Sequence, residues 1–154
     1  MRKISIFAVL AALCVSGAFA EDSAAQLAKD AAALSNEGKH DDARQKFEAA
    51  VKLDSSNASL HLNLGFVYMK LKQHDKATSS LEAAVKLDGK LLAAHKALAF
   101  LYEEAAMQAP APKVPKEDFK KAQKEWAAVV ELSTDPFEID MAKKHLARIA
   151  EQLK

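Results

Sequence analysis

The segment Glu48-Ala49-Ala50-Val51-Lys52-Leu53-Asp54 recurs letter for letter as Glu82-Ala83-Ala84-Val85-Lys86-Leu87-Asp88, an offset of 34 residues. A fixed period of this length marks a stacked-repeat architecture. One unit of such an array cannot bury its apolar face alone, so neighbours must stack. A third copy, Trp126-Ala127-Ala128-Val129-Val130-Glu131-Leu132, aligns with Leu81 to Leu87 at an offset of 45. The additional 11 residues are therefore an insertion, expected near residues 105–117.

Upstream of the second copy, Leu64-Gly65-x-x-Tyr68 is followed by Ala77-x-x-x-Leu81-x-x-Ala84. This pattern resembles the tetratricopeptide repeat, two antiparallel helices, A and B, per unit. The resemblance covers nearly all of the chain after residue 24 and implies an all-α, right-handed solenoid. Three repeats are expected, at about 24–57, 58–91 and 92–134, with a capping helix over 135–154. In the family, small residues stand where helices cross closely. Here those positions hold Ala31, Gly65 and Ala99, then Ala43, Ala77 and Ala122, then Ala50, Ala84 and Val129. Large residues fill the spaces between them: Leu34, Tyr68 and Tyr102 on helix A, and Phe47, Leu81 and Trp126 on helix B. Alternation of large and small at facing positions is what interdigitated packing needs. The family's helix-ending proline is replaced by Ser55, Gly89 and Thr134. Gly89 is expected to end its helix through positive φ, and Ser55-Ser56-Asn57 to cap the next one.

The two ends read differently. Arg2-Lys3, the apolar run Ile4–Val15 and the small-x-small site Ala18-Phe19-Ala20 match a secretory signal over residues 1–20. The run is shorter than the ~20 residues of a membrane span, so no membrane insertion is expected after cleavage. Cleavage would also remove Cys14, the single cysteine, leaving a thiol-free domain suited to an oxidising compartment. A bacterial periplasm is the expected location. At the other end, Asp135-Pro136-Phe137-Glu138 is a helix start signal. Ile139, Ala142, Leu146, Ile149 and Leu153 then fall on one helical face, so this helix can cover the last repeat.

Charge and motifs narrow the function. Without Arg2 and Lys3, 20 basic residues face 21 acidic ones, which is no nucleic-acid footprint. No nucleophile motif, phosphate-binding glycine loop or metalloprotease helix is present, so no catalysis and no cofactor are expected. His61 and His95 are 34 apart, as are His40 and His74. Equivalent positions in successive repeats lie roughly 20 Å apart, too far to share a metal, and packed rings are the simpler expectation.

In the family, helix A lines a concave groove. Carried across, the resemblance places Leu62, Asn63, Phe66, Met69 and Lys70 on its wall, with Lys96, Ala97, Phe100, Glu103 and Glu104 in the next repeat. The first repeat offers only Ala28, Lys29, Ala32, Ser35 and Asn36. A carboxylate-clamp subtype is disfavoured, because Asn63 survives but Ala28, Ala32, Ala93 and Ala97 hold the other positions. Phe66, Met69 and Phe100 instead suggest apolar anchors for a protein or peptide partner, with Phe66 and Phe100 side by side. The alternative is that the same three residues pack against a long helix from within the chain. The segment Pro110-Ala111-Pro112-Lys113-Val114-Pro115 favours an extended loop, either a binding element or a tolerated surface insertion. The expectation is a non-catalytic exported binding protein acting as adaptor, scaffold or assembly factor. The alternative is a constitutive accessory subunit of a cell-envelope complex.

Overall fold

The computed structural model describes residues 23–108 and 115–154. The expected signal segment and most of the proline-containing loop lie outside the described residues. Among the described residues there are seven helices and no strand. Helix α1 covers residues 23–36, followed by α2 (His40–Leu53), α3 (Ala58–Lys70), α4 (His74–Leu87), α5 (Leu92–Gln108), α6 (Lys116–Leu132) and α7 (Pro136–Gln152). Each helix packs against its neighbour in sequence, from α2 on α3 through to α6 on α7. Three helix-turn-helix units and a terminal helix result. None of these helices is long and apolar enough to cross a membrane.

All nine small positions named from the sequence are buried. Phe47, Leu81 and Trp126 fill the core between them, and Tyr68 and Tyr102 are buried beside them. Leu34 is half-buried against the same cluster. Tightest of the crossings is Gly65, where an added Cβ would stand 2.7 Å from Leu81 Cγ.

The turns repeat as the helices do. Within the first two units, the helix A to helix B turn closes through a residue in the left-handed region, Gly38 (φ 80) and then Lys72 (φ 56). The amides of Lys39 and Gln73 donate back to the carbonyls of Leu34 and Tyr68, each at 2.9 Å. This is the bonding of a Schellman close. Between units, Asp54 accepts from the Ser56 amide and Asp88 from the Lys90 amide, and Asn57 caps α3. Gly89 does not adopt positive φ, contrary to expectation. The aspartate turn has already redirected the chain, so no left-handed residue is needed.

The insertion goes largely into helix. The period would end α5 at residue 104, but it runs to Gln108; α6 would start at residue 119, but it starts at Lys116. Pro115 takes the N-cap position of α6, and the remaining extra residues fall in the stretch 109–115. Helix α7 starts as read, with Asp135 as N-cap and Pro136 in the first turn. Ala142 and Ile149 are fully buried, Leu146 and Leu153 pack on the core, and Met141 joins them while Ile139 stays half-buried.

Candidate functional site

A tyrosine ladder holds the units in register. Tyr68 of α3 donates to Glu48 of α2 at 2.6 Å, and Tyr102 of α5 donates to Glu82 of α4. Glu48 is held below the ordinary carboxylate range, first by the Tyr68 hydroxyl and then, against some burial, by Arg44. Burial and the bond to Glu48 push the Tyr68 phenol up to about 12. A second repeated element uses the histidines. The His61 and His95 rings each place Nε2 3.0 Å from a turn carbonyl, of Ser55 and Gly89 respectively. His95 is also buried against Glu125, Nδ1 to Oε2 2.6 Å. Both rings therefore fasten turns.

Two clefts open beside the A helices, one among α1, α2 and α3 and one between α5 and α7. The first is lined by Ala32, Ser35 and Asn36 of α1, Phe47 of α2, and Asn63, Phe66 and Val67 of α3. Five of these were named as groove residues from the sequence: Ala32, Ser35, Asn36, Asn63 and Phe66. Phe66 is half-buried, and among the described residues no side chain is hydrogen-bonded to the Asn63 amide. Leu62 and Met69 pack partly buried on the core, and Lys70 is exposed.

The other cleft lies between α5 and α7, lined by Phe100, Glu103, Glu104, Met107, Gln108, His145 and Arg148. Phe100 is 42% exposed and Met107 64% exposed. Phe100 does not stand free beside Phe66. Its ring meets Trp126 edge-on, centroids 4.7 Å apart, and His145 at 5.3 Å. His145 in turn stacks on Trp126 at 4.3 Å. Glu103 is only 3% exposed and is spent within the chain. It accepts from Arg148 Nε at 2.9 Å and from Trp126 Nε1 at 3.3 Å, and lies 2.7 Å from His145 Nδ1. Lys96 is likewise engaged, donating to Glu138 at the start of α7. Lys96, and then the Ser133 hydroxyl, hold the Glu138 carboxyl below its ordinary range. Of the groove set, then, Asn63 and Phe66 line a cleft, with Phe66 also packed on the core as Leu62 and Met69 are, whereas Lys96 and Glu103 seat the terminal helix.

Sequence reasoning missed Met107, Gln108, His145 and Arg148. The first two lie in the helical part of the insertion, outside the repeat template. The other two lie on a helix read only as a lid. The clue was the turn Leu132-Ser133-Thr134-Asp135, which follows a B helix as Leu53–Ser56 does and starts another A-like helix.

Comparison with known families matches residues 33–72 to a TPR repeat model and residues 58–91 to a tetratricopeptide repeat model. A comparison with proteins of curated function finds no match. Among solved structures, the first TPR of Spaghetti (RPAP3), bound to the HSP90 peptide SRMEEVD, is similar at 24% identity and TM-score 0.69. That match covers 86% of this chain and 94% of the other. PcrH in complex with the chaperone binding region of PopD is similar at 20% identity and TM-score 0.70, over 87% and 96% of the two chains. The Arabidopsis OM64 TPR domain is similar at 16% identity and TM-score 0.70, over 84% and 98%. At these identities the likeness is one of fold.

Proposed function

Because this chain belongs to the tetratricopeptide-repeat family, we propose that it is a non-catalytic exported binding protein that grips a segment of another polypeptide along the clefts beside its A helices. The observation that carries this reading is the pair of clefts. Each offers an accessible apolar ring, Phe66 or Phe100, at the same position of successive repeats. Apolar surface left open in a groove marks an interaction site. The Asn63 amide beside Phe66 can donate to and accept from a peptide backbone at once. Two of the similar folds hold a peptide or a protein segment, which supports the same use here. Export, to a bacterial periplasm, rests on the basic, apolar and small-residue pattern of residues 1–20.

A photo-crosslinking residue at Phe66 or Met107 should capture a polypeptide in the producing cell, and one at the exposed Leu53 should not. Many exchangeable products fit an adaptor; a single stoichiometric product fits an accessory subunit of an envelope complex. Asn63→Ala with Phe66→Glu should weaken capture at least about tenfold, taking roughly 2 kcal/mol for an aromatic anchor. Phe100 is left intact because its ring supports Trp126. Crosslinks from Leu53 alone would move the interface to another face. N-terminal sequencing of the exported chain should read Glu21-Asp22-Ser23-Ala24; an intact Met1 would remove the export reading.

A further inference from the structure

Met107 differs from the other described methionines. Met69 and Met141 pack partly buried against the core, whereas Met107 is 64% exposed in the last turn of α5. It also lies in the α5–α7 cleft, lined by the apolar Phe100 and by Glu103, Glu104, Gln108, His145 and Arg148, in which Gln108 donates to Glu104 and Arg148 to Glu103. A thioether reacts with oxidants according to its access, and the product is polar where the reactant was apolar.

We propose that Met107 is a reversible oxidation site through which hydroperoxides turn off the apolar character of the α5–α7 cleft. The sulfur lone pair attacks one peroxide oxygen. An S–O bond forms and the O–O bond breaks; the departing hydroxide, or alkoxide from an organic hydroperoxide, takes the proton of the oxygen now on sulfur and leaves as water or alcohol. Sulfur is oxidised by two electrons and the peroxide is reduced by two. The sulfoxide oxygen is a strong acceptor, set in a cleft whose rim carries the Arg148 guanidinium, itself half exposed. Phe100 then borders a polar group in place of a soft apolar one. Methionine sulfoxide reductases reverse the change, so the cleft has two chemical states. The consequence for a bound polypeptide rests on the function proposed above; the selectivity of the oxidation does not.

The test exposes the full mature chain to graded hydrogen peroxide and follows peptide masses for the ~16 Da gain of one oxygen. Met107 should convert roughly fivefold or more faster than Met69 and Met141, in keeping with its exposure. The anionic dye 8-anilinonaphthalene-1-sulfonate, which fluoresces on apolar surface, should lose at least about half its cleft-dependent fluorescence after oxidation while helicity by circular dichroism stays unchanged. Met107→Leu should keep the dye signal and make it insensitive to peroxide, and reductase treatment should restore the signal in wild type. Equal or faster oxidation of Met69 or Met141 would overturn the site. Full conversion of Met107 with an unchanged dye signal would overturn the switch. If both effects appear but crosslinking finds no polypeptide, the oxidation site stands and the binding function falls.

Discussion

Gly65→Ala sets two known magnitudes against each other. Gly65 lies in the interior of α3, where replacement by alanine would ordinarily gain about 0.8–1.0 kcal/mol of helix propensity. Here the new Cβ would meet Leu81 Cγ at 2.7 Å and Cδ2 at 2.9 Å. Carbon atoms rest about 3.5–4.0 Å apart, so Leu81 must retreat by roughly 1 Å. Leu81 is fully buried and has no solvent side to move toward. Overpacking of this kind costs about 1–3 kcal/mol. The difference is a net loss of about 0–2 kcal/mol, or several degrees of melting temperature for a domain of this size. Thermal circular dichroism of Gly65→Ala, Leu81→Ala and the double variant checks the mechanism. Leu81→Ala alone should cost about 2–5 kcal/mol through its cavity. In that background the Gly65→Ala change should turn favourable by about 1 kcal/mol, because the methyl enters vacated space. Equal effects in the two backgrounds would refute the reasoning, since the Leu81 contact would then not be limiting. The same repeat position in the third unit already holds Ala99, fully buried, so that crossing is spaced for a methyl.

Lys72→Gly should stabilise the chain by about 0.5–1 kcal/mol in chemical denaturation, because Lys72 pays for a left-handed φ of 56 that its repeat partner Gly38 adopts freely. Tyr68→Phe should cost about 0.5–1.5 kcal/mol, at the low end because the Glu48 side chain is 32% exposed. Since Tyr68 lowers the Glu48 carboxyl, its stabilisation is complete above the ordinary carboxylate value of 4.5 and is lost as pH falls through the lower folded value. The gap between wild-type and Tyr68→Phe unfolding free energies should therefore narrow on acidification, and again as pH rises from the ordinary phenol value of 10 toward the folded value of about 12. Glu103→Gln should loosen α7, at a cost of about 1–3 kcal/mol, because Arg148 and His145 lose their buried anion. The single tryptophan, Trp126, stacks on His145 and should report this as a red shift and as faster proteolysis within 136–152; unchanged emission would show that Glu103 does not seat the helix.

The 34-residue period determined the helix count, the helix faces and the small positions, all of which are buried as read. Burial recurs at 34 residues along the A helices and, after the insertion, at 45 in the last B helix, so a local pattern suffices to encode it. The same periodicity made the tyrosine ladder and the paired turns available, although their bonds had to be seen. Placement of non-repeating residues was decided only by the tertiary structure. Phe66 and Phe100 are equivalent by period and each lines a cleft, yet only Phe100 also meets Trp126 and His145 edge-on, because only it has α7 beside it. Glu103 and Lys96 look like solvent-facing groove charges until His145, Arg148 and Glu138 arrive from 42 to 45 residues away. A side chain's periodic position tells which way it points. What it meets there depends on the next element in the stack, and at the end of an array that element no longer follows the repeat.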